Sequence, residues 1–402
     1  MEQLRATTVP VAIVGAGVAG LALAALLTRL GVGCQVFERT RRLGAVGAGI
    51  QLAPNGVRVL QRLNLGDARS HHGVEASRIE TRRWDDASLL SCIPLAEQAW
   101  DRYAAPYYLL HRADLQVCLQ SQVPAEWLCL GRACESITEY DDHVELGFSD
   151  SSRVRASLVV GADGAASMVC AALLGDELLY SGYAVYRGLV PSVRMPGFAE
   201  RRTVMFWLGP DRHVTYYPIS SQKTIHFSAV VKAASPPAGT GGGTPARPDE
   251  LLESFAGWHD EVVTVLSATR TIARWGLFDR ALPPSFGSRR IVLVGDAAHL
   301  MLPYLSQGAN QALEDVAVLA DLVAEYSSTH NEIDTVAVVH QYDRLRRPRL
   351  VDVHQRCRER GHHFHLGDGA EQRRRDAFLR QNQELASFDW LYAPKLVTAE
   401  QE

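Results

Sequence analysis

The chain has 402 residues, 47% of them hydrophobic and 21% charged, and its 41 basic and 45 acidic side chains leave a net charge of -4. That length exceeds one ordinary core and suits two closely packed domains, while the mild acidity excludes the basic stripe of a non-specific nucleic-acid binder. Seven cysteines without a Cys-x-x-Cys pair or a zinc-type spacing offer no metal site and suit reduced thiols in a cytoplasm; the apolar stretch 18–30 is too short to span a bilayer, and no signal peptide is expected.

Residues 10–14, PVAIV, predict a buried strand, and GAGVAG follows at once. An Ala/Leu-rich helical run over 21–30 then leads, past Gly31 and Gly33, to a second strand, CQVF, that ends at Glu38. In such a unit Gly15 makes the tight turn, Gly17 leaves room for a pyrophosphate and Gly20 lets helix pack on strand. The helix start adds free N–H groups and about half a positive charge, and Glu38 is placed to accept from ribose hydroxyls. The unit predicts an ADP-containing cofactor with an unphosphorylated ribose, FAD or NAD rather than NADP, without choosing between those two.

Two later strands end on glycine turns, LVVGADGAAS from residue 158 and IVLVGDAAH from residue 291. Neither repeats the fingerprint, and GGGT at 241–244 follows no strand, so NAD in a second domain of its own is not expected. Between 183 and 231, the runs YAVYRGLV, TVMFWL, HVTYYPI and TIHFSAVV predict a sheet, with a hairpin turn at 209–212. Strand alternation sets His213, Thr215 and Tyr217 on one face. Residues 233–248, AASPPAGTGGGTPARP, have little to bury and are expected to form a mobile surface loop. The Arg-rich segment from Gln341 has a helical pattern, read as a solvated helix packed on the nucleotide-binding domain or as an oligomer contact.

Five ordered segments now stand out: GAGVAG with Glu38, GAGIQLAPNGVRVLQRLNL at 47–65, HRADL at 111–115, GADGAAS at 161–167, and GDAAH through ALEDV at 295–316. Over nearly its whole length the chain resembles the single-component FAD-dependent aromatic hydroxylases of the salicylate, hydroxybenzoate and hydroxynicotinate hydroxylase type. The resemblance implies an α/β fold with a Rossmann-like FAD-binding domain from 1–72, 100–178 and 280–360. It also implies an inserted mixed β-sheet substrate domain from 73–99 and 179–279, and C-terminal helices over 361–402. FAD is the implied cofactor, NADH or NADPH the transient reductant, and O2 and a small aromatic molecule the substrates; the implied enzyme is a cytoplasmic monomer or homodimer.

Carried over residue by residue, Arg112 resembles the arginine that lies along FAD. Asp163 belongs to the motif near FAD and the nicotinamide nucleotide, and Asp296 resembles the acid that bonds the ribityl chain. Arg39, Gly49 and Gly295 belong to the same cofactor-binding segments. Gln307, Gly308, Ala309 and Asn310 form a helix start under the flavin, worth up to ~2 kcal/mol to the negative charge of a reduced ring; Asn310 fits a helix cap equally. His213, Tyr217 and Tyr304 are the candidate catalytic groups, able to hold and deprotonate a phenol or ring N–H, with ordinary sheet packing as the alternative for the first two. Gln51, Thr215, Pro303 and Arg187 are the candidates for substrate contact, Arg187 being the arginine of the inserted sheet open to a carboxylate.

Two positions depart from the family pattern. Cys170 stands where the DG motif usually ends in arginine, which bears on the grip on the nicotinamide nucleotide. Leu300 replaces the usual proline after DAAH, which bears on the pocket. The implied reaction is hydroxylation through a flavin hydroperoxide. An epoxidase, oxidase, reductase or halogenase on the same scaffold, or a redox-sensing flavoprotein, are the alternatives; the missing WxWxIP motif counts against a halogenase.

Overall fold

A computed structural model of the chain describes residues 7–44, 48–67, 71–175, 177–237, 243–269, 271–327 and 332–393. Thr7–Val14 is parallel to Cys34–Glu38 on one side and to Arg153–Gly161 on the other, and Ile291–Leu293 adds in parallel to the end of Arg153–Gly161. Val11, Ala12, Ile13, Leu158, Val159, Val160, Val292 and Leu293 are fully buried, as strands covered on both faces require. The register sets Val14 beside Gly161 and Gly161 beside Leu293. All three segments therefore leave the sheet at one edge. The helix Val18–Leu30 uses its small Ala/Leu surface to lie against the helix Gly308–Glu325.

A second sheet of eight strands runs in the order Thr244–Ala246, Ile272–Arg280, Leu178–Pro191, Thr224–Lys232, Arg212–Ile219, Thr203–Gly209, Arg78–Arg83, Leu89–Pro94. It is mixed, since Thr203–Gly209 pairs in parallel with Arg78–Arg83 while its other pairings are antiparallel. Alternation divides its side chains. Phe206, Leu208, Tyr217 and Ile219 join the core shared with the first sheet, whereas Met205, Trp207, Val214 and Tyr216 pack in a separate core with residues of the helices Pro248–Ser254 and Asp260–Ser267. The face expected to carry His213, Thr215 and Tyr217 is the one turned to the nucleotide-binding half.

Three expectations change. Within 233–248, whose residues 238–242 lie outside the described part, Thr244–Ala246 is an edge strand on Ile272–Arg280 rather than loop. It closes there because Gly243 has no side chain: a Cβ would lie 2.3 Å from the Trp275 ring. The Arg-rich helix Thr335–Phe364 is not solvated along its length, since Arg346 and Arg349 are buried in ion pairs. Two expected domain boundaries also fall within paired or continuous structure. That helix runs without a break through position 360, and Val74–Glu75 pairs with Tyr108 and Leu109. Among the described residues no helix is long and apolar enough to cross a membrane.

Candidate active site

At the sheet edge, backbone approaches backbone. Gly15 has φ +106°, and a Cβ there would stand 2.4 Å from the Ala162 carbonyl oxygen. Only glycine fits such a turn. A Cβ on Gly20 would be 1.9 Å from the Gly15 oxygen, which is the close helix-on-strand contact foreseen for it. Gly17 is left open, with the Arg112 guanidinium as the neighbour, 3.9 Å from where its Cβ would be. Glu38 accepts from the N–H groups of Ala16 and Thr40, both at 2.9 Å, which fixes its carboxylate beside the glycine turn with a lone pair to spare on each oxygen.

The helix Gly308–Glu325 has its first intrahelical bond from the Gln311 N–H to the Gln307 carbonyl. The N–H groups of Gly308, Ala309 and Asn310 precede that bond and are open to an anion or a polarised ring edge. Asp296, exposed at the end of the third strand, lies beside Gly308, 3.7 Å from where its Cβ would be. The Asn310 side chain is used otherwise: it accepts from the Ala53 N–H and donates to the carbonyls of Gln51 and Ser306, so it ties the helix to the neighbouring strand rather than capping it. Asp163 has protein partners of its own. Its carboxylate accepts from Ser167 Oγ at 2.5 Å and from the Met168 and Val169 N–H groups, and so caps the helix Met168–Leu174. Gly49 is pressed against His226, 2.6 Å from a would-be Cβ, and Arg39 is exposed.

Side chains outside the glycine motifs hold this edge in place. Arg280, almost fully buried, donates to the carbonyls of Ala165, Asp296 and Ala297, clamping the second and third strand ends together. Asp315, fully buried, accepts from the Gly295 N–H at 3.0 Å and pairs with His299 at 2.5 Å and Arg346 at 2.8 Å. Glu314 takes Arg346 and Arg349, and Asn55 bonds both Glu314 and Gln307. Burial alone raises both carboxyls, but His299 and Arg346 hold Asp315 at about 2, and Arg346 and Arg349 hold Glu314 at about 2. The helix start is thus anchored by charge pairs that survive burial because each partner is satisfied. Gln307, fully buried, keeps one amide nitrogen without a protein partner among the described residues.

A small cavity opens beside this helix start, with Gln51, Tyr107, Phe206, Tyr304, Arg360 and Tyr392 among its walls. Tyr304 heads the turn before the helix; its hydroxyl is buried with no partner among the described residues. Its ring fits because position 361 is glycine, where a Cβ would lie 2.3 Å from the ring. Tyr107 donates to Gln51 Oε1 at 2.7 Å, and the Gln51 amide also acts on the Tyr217 phenol. Burial raises Tyr217 well above the usual phenol range, with Arg187 and Gln51 opposing. His213 does not line the cavity: its Nδ1 lies 2.8 Å from His365 Nε2, behind Tyr304. Burial and His365 hold it well below the usual imidazole range, so it is neutral at pH 7. Thr215 is buried, Pro303 exposed, and Arg187 lies over the Trp275 ring at 5.3 Å; none of the three is on the cavity wall. Cys170 is buried under the Ser167 cap, and Leu300 accepts from the Arg280 N–H.

A glycine cradle against the second strand end, an arginine over it, a helix start with open N–H groups and an acid beside it define a flavin-binding protein, and the residues present fit FAD. Comparison with known proteins carries this further. The FAD binding domain family model matches residues 8–356. The chain is 50% identical over 382 residues to the 3-amino-4-hydroxybenzoate 2-monooxygenase of Streptomyces cremeus, covering 95% of this chain and 94% of that one. It superposes on a salicylate hydroxylase substrate complex with a TM-score of 0.80 at 28% identity, covering 96% and 95% of the two chains. Klebsiella pneumoniae HpxO complexed with FAD and uric acid gives 0.80 at 26% identity, covering 93% of each. The chain belongs to the FAD-dependent aromatic hydroxylases, enzymes that bind FAD and spend NAD(P)H and O2 to hydroxylate an aromatic ring.

Proposed function

We propose that this enzyme hydroxylates 3-amino-4-hydroxybenzoate, or a close analogue, at the ring carbon between the amino and carboxyl groups. One ring C–H becomes C–OH, the second oxygen atom of O2 leaves as water, and NAD(P)H supplies the two electrons. The observation that carries this reading is the 50% identity over 95% of the chain to a relative named for that reaction. The cavity agrees with it in character: aromatic walls for a ring, and polar groups at few points.

FAD supplies the redox and oxygen-activating chemistry when bound. In this reading the chain's residues do the rest. Gly15, Gly17, Glu38, Arg112 and Asp296 hold the cofactor, and the open N–H groups of Gly308 to Asn310 favour negative charge on its ring. Phe206, Tyr304 and Tyr392 enclose the substrate ring and exclude water, which protects against wasteful peroxide release. The joined Gln51 and Tyr107 present a polar edge for the amino or hydroxyl group, and the partnerless Tyr304 hydroxyl receives or gives a proton at the substrate's phenol oxygen. His213 and Tyr217 act from behind, as support for Tyr304 and Gln51. The eight-stranded sheet supplies the substrate half and the parallel sheet the FAD half. The seven cysteines form no disulfide among the described residues, which suits a reducing cytoplasm.

The test is to purify the yellow protein and follow flavin reduction without oxygen, with NADH and with NADPH, in the presence and absence of 3-amino-4-hydroxybenzoate. Faster reduction with the substrate, and a product that takes one atom from labelled O2, are the expected results. Reduction indifferent to the compound, with all oxygen returned as hydrogen peroxide, would overturn the reading.

A further inference from the structure

Arg360 is the charged residue on the cavity wall. Its guanidinium lies over the rings of Phe364, at 5.1 Å, and Phe388, at 5.8 Å. Its Nε is buried without a hydrogen-bond acceptor, and among the described residues no carboxylate pairs with it. The groups that act on its charge are Tyr392, Cys357 and Tyr107, and burial raises all three of those acids, so they stay neutral. Burial lowers the guanidinium from its ordinary value.

By contrast, the four arginines that are buried outright among the described residues are satisfied. Arg346 has Glu314 and Asp315, Arg349 has Glu314 and two backbone carbonyls, Arg375 has Asp376, and Arg280 has three carbonyls. A cation held half-buried among aromatic rings, with its Nε shut off from water and no anion beside it, carries a cost, and two aromatic faces offset only part of it. Arg187, the cation expected from the sequence, lies against Trp275 away from the wall.

We propose that Arg360 is the anion anchor of the substrate site: its guanidinium fork takes the carboxylate of an aromatic acid bound in the cavity and so selects benzoate-type acids over neutral phenols. A planar carboxylate matches the planar fork in two parallel hydrogen bonds. The anchor is held ready before substrate arrives. Gly361, next to it, lets Tyr304 lie against the same helix, and Arg349, three turns earlier, grips the carbonyls of Trp390 and Leu391 so that Phe388 and Tyr392 complete the wall. This assignment rests on the cavity being the substrate site, as in the proposed function.

The test compares 3-amino-4-hydroxybenzoate with its neutral carboxamide, on the FAD-loaded wild type, Arg360→Met and Arg360→Lys. Binding is read from the change in flavin absorbance on titration without NAD(P)H, and turnover from coupled NAD(P)H oxidation. Wild type should prefer the acid. Arg360→Met should weaken acid binding about 100-fold, leave carboxamide binding unchanged, raise KM more than it lowers kcat and keep the flavin content; Arg360→Lys should fall between. A merely structural arginine would weaken both compounds alike. An acid-to-amide preference in wild type that both variants retain would overturn the assignment, and if Arg360→Met does not fold, the Lys variant decides by the same ratio. Should wild type bind the acid through Arg360 yet hydroxylate neither compound, the proposed reaction falls while the anchor stands.

Discussion

The glycine-and-helix-start cradle and the aromatic-walled cavity beside it are made in different ways. The cradle is backbone: Gly15 against Ala162, open N–H groups at Gly308 to Asn310, strand ends held in register at Val14, Gly161 and Leu293. The cavity is side chain: Gln51, Phe206, Tyr304, Arg360 and Tyr392 reach it from five separate segments. A backbone site is fixed once its strands pair, and its chemistry cannot be altered without breaking the fold around it. A side-chain site keeps its shape through packing and can change its ligand residue by residue. The same molecule therefore carries a backbone cradle and a side-chain cavity that differ in their tolerance of substitution.

Substitutions should separate the two. Gly15→Ala has the largest expected effect, because it meets both a positive φ and a carbonyl oxygen at 2.4 Å; the purified protein should be colourless, and retained flavin would show that the turn can relax. Next comes Asp315→Asn, which leaves Arg346 and His299 without their shared acid. A loss of about 3–5 kcal/mol is expected for a broken buried pair, read as a lower melting temperature together with weaker flavin retention. A third test uses acid. Asp315 and Glu314 are both held at about 2, below the ordinary carboxyl values of about 4. Groups lowered in this way stabilise the fold above the unfolded value and lose that contribution as pH falls from about 4 towards about 2, by about 2–3 kcal/mol each at most. Denaturation curves over that window should steepen in wild type and flatten in Asp315→Asn.

The smallest change belongs to the cavity. Gly361→Ala would push a methyl group to 2.3 Å from the Tyr304 ring; overpacking of about 1–3 kcal/mol should move that ring into the cavity and raise KM by about tenfold while flavin content stays as in wild type. A loss of flavin instead would mean that cradle and cavity are less separable than their construction suggests.

The charged residues show most plainly what could be read in advance. GAGVAG and Glu38 lie together at the turn because local geometry fixes them, and Arg112, known only through the family resemblance, comes beside Gly17 from a distant segment. The Arg-rich pattern after Gln341 predicts a solvated helix packed on the nucleotide-binding domain, since composition does not distinguish a helix face in water from one whose partners, Glu314 and Asp315, lie some thirty residues earlier in the chain. Asp163 matches a cofactor motif, and its carboxylate also accepts from the first N–H groups of the helix Met168–Leu174, partners that lie only a few residues away. Arg360 gives no signal, because its near neighbours Cys357 and Phe364 show only one side of it, while Tyr107, Phe388 and Tyr392 come to it from distant segments.

The sequence by itself determined the cofactor class, the strand-end turns and the sheet face carrying Tyr217, all of which follow from short-range rules: glycine where backbones touch, period two on a strand, free amides at a helix start. Tertiary structure alone decided which cation is left without an acid, which tyrosine enters the cavity and which acids hold the helix in place. Those outcomes depend on contacts between residues tens to hundreds of positions apart, where side-chain chemistry is known but its partner is not.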